Sequence, residues 1–503
     1  MSGPMSDGVN GPMTAGVIDT EWETVIGLEV HCELSTATKM FCSCPNEFGA
    51  EPNTNVCPVC LGLPGSLPVL NEKAVEYALR FAEAVHLHVP AESTFARKNY
   101  FYPDMPKDYQ VSQFEEPITI DGWIDVDGER VGIERAHLEE DTGKSTHVGG
   151  GGRIHEATHS LVDYNRAGVP LMEIVSRPDI RSAEQARAYA AELRAVLLAI
   201  GVSDVKMEEG SMRVDANVSV RHVGVQELGT KVEIKNMNSL RSLGRAIESE
   251  IERQIAVLEA GDRLVQETRH WDEADGRTHS MRSKEGSSDY RYFPEPDLVP
   301  VAPTAEMRAA VRAAMPELPA ARRARLQDEW GITEHDARTL LTSEGLADYA
   351  EAAVAALGSG TPKDVVNWCL GEVLAHLNET GLSPEVLPLA PDGLAELVAI
   401  VADGTISKKQ AKDVLGECLT EAKRPKQVVE ERGLVQVSDA GELGAVIDEL
   451  LAANPDDVAA YRAGDDKARK KKRGFFMGEL MKATKGQANP QVLNQLLDEK
   501  LQG

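Results

Sequence analysis

The segment VIGLEVHCEL, residues 25–34, alternates strictly: Ile26, Leu28, Val30, Cys32 and Leu34 are separated by Glu29, His31 and Glu33. Successive side chains of a β-strand leave on opposite faces. The segment therefore reads as a strand with one hydrocarbon face for a core and one face of metal-type ligands. A half-exposed surface strand alternates in the same way. The choice between these readings depends on whether other segments repeat the pattern with complementary residues.

Several do. In SMRVDANVSV, residues 211–220, Met212, Val214, Ala216, Val218 and Val220 stand opposite Arg213, Asp215 and Asn217. In GTKVEIKNMN, residues 229–238, Val232 and Ile234 alternate with Lys231, Glu233 and Lys235. VPLMEIVS, residues 169–176, is apolar on both faces except for Glu173. An ionised carboxylate there must ligate a cation, pair with an arginine as a structural salt bridge, or shift its pKa.

The segment IERAHLEEDTGKSTH, residues 133–147, concentrates Glu134, Glu139, Glu140 and Asp141 ahead of Gly143 and Lys144. Its GKST string is not a P-loop: the first glycine of that motif falls on Leu138, and the loop LEEDT would turn carboxylates toward phosphate. The acids are read instead as holding Mg²⁺ that bridges nucleotide phosphates, with Lys144 touching them as a point charge. Glu29, Glu140, Glu173 and Glu233 with His31 are the expected ligand set for one or two ions. Because Mg²⁺ prefers oxygen, His31 either ligates or orients a carboxylate or a water. Several carboxylates on one sheet face repel one another without a cation.

Cys42, Cys44, Cys57 and Cys60 form C-x-C-x12-C-x2-C. Two close pairs across a loop suit tetrahedral thiolate coordination of a structural zinc; four reduced thiols lining a loop are the alternative. Cys32, Cys369 and Cys418 suit buried apolar positions. KARKKKR, residues 467–473, stands out in a chain of net charge −28. Such a run is either a solvated face or a contact to an RNA phosphate backbone, and TISKKQAK, residues 405–412, adds a second basic patch. The overall acidity excludes a surface sheathed in nucleic acid. No Ser/Lys or Cys/His arrangement of a nucleophilic amidase is present, which leaves activation by phosphate.

At 503 residues and 42% apolar content, roughly 100 to 200 residues per domain gives about three domains. The first 20 residues lack a basic start and an apolar core, and no run reaches the ~18 apolar residues of a membrane helix. A cytoplasmic protein with a disordered leader at 1–20 is expected. Short β-type runs with a few helices continue to about Pro300, which reads as α+β, and the chain is helical beyond. Ser182 with Gln185 caps one helix that ends at Gly201, and another runs from about Leu240 to Gly261. Four prolines in YFPEPDLVPVAP, residues 292–303, make a boundary. The expected domains are 21–303, a sheet domain with the cysteine cluster, then 304–400 and 401–503, both helical.

With these segments in view, the chain resembles the B-subunit family of bacterial tRNA-dependent amidotransferases, the GatB/GatE family. The resemblance rests on VIGLEVH from Val25, RKNYFYPDMPKDYQVSQF from Arg97, HLEEDTGKSTH from His137, DVKMEEGSMRVDANVS from Asp204, KNMNS from Lys235, DYRYFPEPDL from Asp289 and KGQANPQ from Lys485. It implies a glutamine synthetase-like antiparallel-sheet cradle, a helical domain, and a tail domain that contacts tRNA. It implies a heterotrimer with a glutaminase A subunit and a small C subunit. It also implies that this subunit uses ATP and Mg²⁺ to phosphorylate the side-chain carboxylate of Glu or Asp misacylated on tRNA(Gln) or tRNA(Asn), after which ammonia displaces phosphate. The family's acidic site maps onto Glu29, His31, Glu140, Glu173 and Glu233, with Glu140, Glu173 and Glu233 as the catalytic acids. Lys144, Arg213 and Lys231 are the candidates to neutralise phosphate. Some members lack the cysteines, so zinc is not essential to the chemistry. Residues 97–114 line either an ammonia path or a subunit interface. The alternative function is a non-catalytic tRNA-binding and assembly subunit. A large insertion marks the archaeal relative specific for Glu-tRNA(Gln), and here PEPDLVP leads straight into helices.

Overall fold

A computed structural model of the chain describes residues 21–149, 157–283, 290–343, 345–434, 440–484, 488 and 490–502. The expected leader at 1–20 and most of the GQANP turn after Lys485 lie outside the described residues, as does Asp289. The chain divides into two units, Met1–Pro319 and Ala320–Gly503.

The first unit contains, in chain order, β1 (Trp22–Glu33), α1 (Glu72–Ala84), β2 (Ala96–Asn99), β3 (Tyr109–Ser112), β4 (Thr119–Val126), β5 (Glu129–Glu140), β6 (Lys144–Val148) and β7 (His159–Asp163). There follow β8 (Pro170–Ser176), α2 (Ala183–Ala199), β9 (Met212–His222), β10 (Val232–Met237), α3 (Leu240–Glu259), β11 (Glu267–Asp272), β12 (Arg277–Ser283), β13 (Phe293–Pro294) and α4 (Ala305–Ala313). Eight strands form one sheet in the order β12-β11-β10-β9-β1-β8-β5-β4. Neighbours run antiparallel except β10 and β11, which are parallel. The opening segment is thus the middle of the sheet. Its even positions Ile26, Leu28, Val30 and Cys32 join Met172, Ile174, Val214, Ala216, Val218, Ala136 and Leu138 in the core, covered by residues of α1, α2 and α3. The register sets His31 opposite both Glu173 and Arg213, and Glu29 opposite Asp215. Directly opposed residues share a face, so these charged side chains collect on the side away from the core.

Two small sheets complete the unit, β13-β2-β3 and the hairpin β6-β7. The Ser182 hydroxyl caps α2 by accepting from Gln185 N at 3.1 Å, while the Gln185 side chain reaches back to Arg181 N at 2.8 Å. The helix start is where the sequence places it, although the reciprocal bond falls one residue earlier than in a capping box. Helix α4 lies beyond the proline-rich segment expected to close the domain, yet it packs on α1, and its Val311 belongs to the sheet unit's core.

The second unit is wholly helical, from Pro319–Trp330 to Pro490–Gln502, and has two apolar cores among the described residues. The division expected near 400 falls inside helix Pro391–Ala402, whose Leu394, Leu397 and Val398 pack in the first of these cores. Gly404 (φ +75°) ends that helix in a turn. The next helix, Lys408–Glu421, packs back into the same core, which runs as far as Val429; the second core starts at Leu443. None of the described helices is long and apolar enough to cross a membrane.

Candidate functional site

On the polar face of the large sheet, three adjacent strands bring together His31, Glu173, His137 and Glu139. His31 Nε2 lies 3.5 Å from Glu173 Oε2 and 3.9 Å from Glu139 Oε1. His137 Nε2 lies 3.4 Å from Glu173 Oε2 and 3.8 Å from Glu139 Oε2. Burial pushes the His137 ring down, but Glu173 and Glu139 outweigh it and lift its pKa to about 9. His31 is raised by the same competition. Burial raises Glu173, but the two histidines hold it well below the usual carboxylate range. The two carboxylates therefore favour the protonated form of both rings. Ligation requires a neutral imidazole, so a cation bound by His31, Glu139 and Glu173 takes over charge that protons otherwise supply. Ligand atoms of these three residues lie within 4.8 Å of one another.

One strand over, Glu29, Asp215 and Glu233 form a second group within the same limit. Asn217 Nδ2 donates to Glu29 Oε1 at 2.9 Å, and Thr268 Oγ1 donates to Glu233 Oε2 at 2.6 Å. Lys235 Nζ bridges Asp215 at 2.5 Å and Glu233 at 3.1 Å. Burial disfavours this ammonium, but the two carboxylates more than compensate and raise its pKa. An all-oxygen donor set fits Mg²⁺, whereas the mixed imidazole and carboxylate set of the first group also suits Mn²⁺ and other first-row ions. Both sets of donors have the charge and the spacing to hold a divalent cation.

The parity of β5 places Glu140 apart from both groups. Ala136, Leu138 and Glu140 leave on one face, and His137 and Glu139 on the other, so Glu139 rather than Glu140 meets Glu173. Glu140 is instead ion-paired with Lys107 and accepts from Val111 N at 2.9 Å. The parity changes at an irregularity between Ile133 and Arg135, so Ala136 and Leu138 follow Val131 and Ile133 into the core and turn His137 and Glu139 the other way. His137 and Glu139 were missed because the paired acids offered no reason to prefer one over the other until the register was fixed.

The phosphate candidates separate as well. Lys144 is exposed on the β6-β7 hairpin and forms no ion pair among the described residues. Lys231 is exposed just before β10, and Lys235 occupies the place expected of it. Arg213 lies on the polar face, where Nη2 donates to Asp141 Oδ2 at 2.6 Å, and Arg166 Nε lies 3.6 Å from the same oxygen. Beside them Glu33 is pushed up to about 8, by burial first and then by the neighbouring Asp141 charge.

The four clustered cysteines converge, their sulfurs all within 4.8 Å of one another. Cys57 Sγ and Cys60 Sγ are 3.9 Å apart, close to the ~3.8 Å between thiolates on one tetrahedral zinc with Zn–S bonds of about 2.3 Å. The fully buried Lys39 places Nζ 3.9 Å from Cys60 Sγ. The hydrogen bond from Cys42, aided by Lys39, lowers the Cys60 thiol to about 5. The donor set thus fits a closed structural zinc site. Cys32, Cys369 and Cys418 are buried.

The basic run falls on helix Asp466–Ala483. Lys472 is ion-paired with Asp457, and Arg473 Nε lies 2.6 Å from Asp498 Oδ1. Lys467, Arg469, Lys470 and Lys471 are exposed. Lys467, Lys470 and Lys471 recur at helical spacing on one side.

Comparison with known proteins matches residues 24–309 to a GatB/GatE catalytic domain and residues 348–501 to a GatB domain. The B subunit of the aspartyl/glutamyl-tRNA(Asn/Gln) amidotransferase of Moorella thermoacetica is 54% identical over 485 residues, covering 96% of this chain and 100% of that protein. The protein of the same name from Thermosynechococcus vestitus is 52% identical over 499 residues, covering 97% and 98%. That from Carboxydothermus hydrogenoformans is 52% identical over 485 residues, covering 96% and 99%.

Proposed function

We propose a function from one established premise: the chain belongs to the GatB/GatE family. It is an amidotransferase subunit of a glutamine-dependent ligase. The finer reading is that it carries the kinase half of the reaction, with ATP as phosphoryl donor and Glu-tRNA(Gln) or Asp-tRNA(Asn) as acceptor, in a cytoplasmic heterotrimer with a glutaminase A subunit and a small C subunit.

The observation that carries this reading is the convergence of two ligand groups on one sheet face, His31–Glu139–Glu173 and Glu29–Asp215–Glu233. A carboxylate resists ammonia because amide formation would expel oxide. Attack of the substrate's side-chain oxygen on the γ-phosphorus, with loss of ADP, gives an acyl phosphate. Ammonia then adds at the carbonyl carbon, loses a proton, and expels inorganic phosphate. Phosphoryl transfer needs positioning and charge neutralisation more than covalent help from the protein. Glu29, Asp215 and Glu233 would hold a Mg²⁺ ion, which supplies that neutralisation when bound; Asn217 and Thr268 orient two of those carboxylates, and His31, Glu139 and Glu173 would offer a second position. The cysteine cluster, with four thiolates and no open position, serves structure if zinc fills it. The exposed basic side of helix Asp466–Ala483 contacts the tRNA backbone.

Glu173→Gln in the assembled complex tests the reading. ADP release dependent on Glu-tRNA(Gln) should fall by about 100-fold or more, while glutaminase activity of the partner persists. Unchanged ADP release would favour a tRNA-binding and assembly subunit with the chemistry elsewhere.

A further inference from the structure

A phosphoryl group arriving at a face built from carboxylates needs a cation on its open side, and the charged residues on that face are mostly committed. Arg213 serves Asp141, and Lys235 bridges Asp215 and Glu233. Lys144 and Lys231 are exposed outside the two groups.

Lys98 differs from these. It lies on β2, directly opposite Gln110 on β3, and Ala96 lies opposite Ser112. Alternation therefore puts Lys98, Gln110 and Ser112 on one face of the small sheet. That face is turned to the end of β5: Ser112 Oγ donates to Glu139 Oε2 at 3.1 Å, and Gln110 Nε2 donates to the Glu140 carbonyl at 2.7 Å. Lys98 Nζ stands 4.9 Å over the Tyr290 ring. Asn99 Nδ2 fixes that aromatic segment by donating to the Tyr290 and Arg291 carbonyls, both at 2.9 Å. The adjoining Tyr292 stacks on Phe114 with ring centres 4.2 Å apart. Burial disfavours the Lys98 ammonium, yet Glu139, Tyr292 and Glu173 together keep its pKa above the ordinary lysine value. Among the described residues the Lys98 ammonium makes no hydrogen bond or close ion pair. An aromatic face beneath an ammonium keeps it charged and partly dry without using its three donors.

We propose that Lys98 is a further catalytic residue of this site, the group whose ammonium contacts the γ-phosphate of ATP as it passes to the substrate carboxylate. The assignment rests on the kinase reading above. Strand β2 supplies the fixed anchor, Tyr290 the backing, and Ser112, on the same face, the link to Glu139 of the metal-binding group.

The test compares Lys98→Met, Lys98→Arg and Glu139→Gln in the assembled complex, by single-turnover ADP release with Glu-tRNA(Gln), KM for ATP, Mg²⁺ concentration for half-activation, and thermal midpoint. Lys98→Met should lower the rate about 100-fold with a smaller change in KM. Its thermal midpoint should hold, and half-activation should need no more Mg²⁺ than before. Lys98→Arg should recover part of the rate. A lysine that merely offsets the acids would leave the rate within threefold and lower the Mg²⁺ requirement, and that result overturns the assignment. If Lys98→Met does not assemble, Lys98→Gln is read by the same criteria. Retained ADP release in Glu139→Gln would sink the kinase reading of this sheet face, whereas loss there with an active Lys98→Met sinks Lys98 alone.

Discussion

In the sheet unit Glu139, Glu140, Asp141, Glu250 and Glu295 are almost wholly withdrawn from water, as are His137 and Lys39. In the helical unit none of the charged side chains described is buried, and its cores are hydrocarbon and aromatic with Cys369 and Cys418. Burying a charge costs several kcal/mol unless partners are placed for it. The sheet unit meets that cost with built networks such as Glu250, which accepts from Arg253 Nη2 at 2.6 Å and Thr278 Oγ1 at 2.9 Å. Inside such a network a charge acts strongly and a single atom matters. Solvated charges act weakly, are screened, and add up. The proposed chemistry rests on charges of the first kind and the proposed tRNA contact on charges of the second.

Four perturbations sharpen or break this contrast. Glu29→Gln keeps shape and removes one charge from the all-oxygen group; ADP release should fall about 100-fold and the Mg²⁺ midpoint should rise. Equal Mg²⁺ dependence would remove that group from the site. Cys57→Ser should abolish a stoichiometric zinc and lower the first unit's thermal midpoint by about 5 °C, the shift for roughly 2 kcal/mol in a unit of this size; elemental analysis of the unaltered protein without zinc would leave four thiols. In the helical unit, replacing Lys467, Lys470 and Lys471 with Ala should raise the KM for tRNA about tenfold and flatten its salt dependence. Lys472→Ala should do little because Asp457 already holds that lysine. An unchanged KM in the triple variant would remove RNA from this helix.

The smallest effect concerns pH. Glu33 is raised from 4.5 to about 8 by burial and Asp141, so folding takes up a proton between those values. Stability of the sheet unit should then decline as pH rises from about 5 to 8, by at most ~1.4 kcal/mol per pH unit. Glu33→Gln should remove the slope between about pH 5 and 6, below the range in which His31 and His137 release protons in the same sense, read from urea midpoints at those two pH values; an unchanged slope there would place the proton elsewhere.

Much of the sheet was legible because alternation is a local signal. It gave the core face of β1 and β9 and drew attention to Glu29, His31, Glu173 and Glu233. The cysteine spacing carried the convergence of the four thiols for the same reason. What the sequence concealed depended on register and packing. Glu139 and Glu140 are adjacent acids, and only the pairing of His137 with Glu173 decides which one faces the site. Lys98 lies in a four-residue strand without apolar alternation, so nothing local points it at Glu139. The division expected near 400 falls within one core, because tertiary packing brings the helix after Gly404 back onto the one before it.

Glu139→Gln and Glu140→Gln, compared by single-turnover ADP release with Glu-tRNA(Gln) in the assembled complex, test most directly whether the phosphoryl-transfer site lies on the polar face of the sheet. Loss of about 100-fold or more in Glu139→Gln, with Glu140→Gln within about tenfold of the unaltered protein, is the expected result; the reverse order would contradict it.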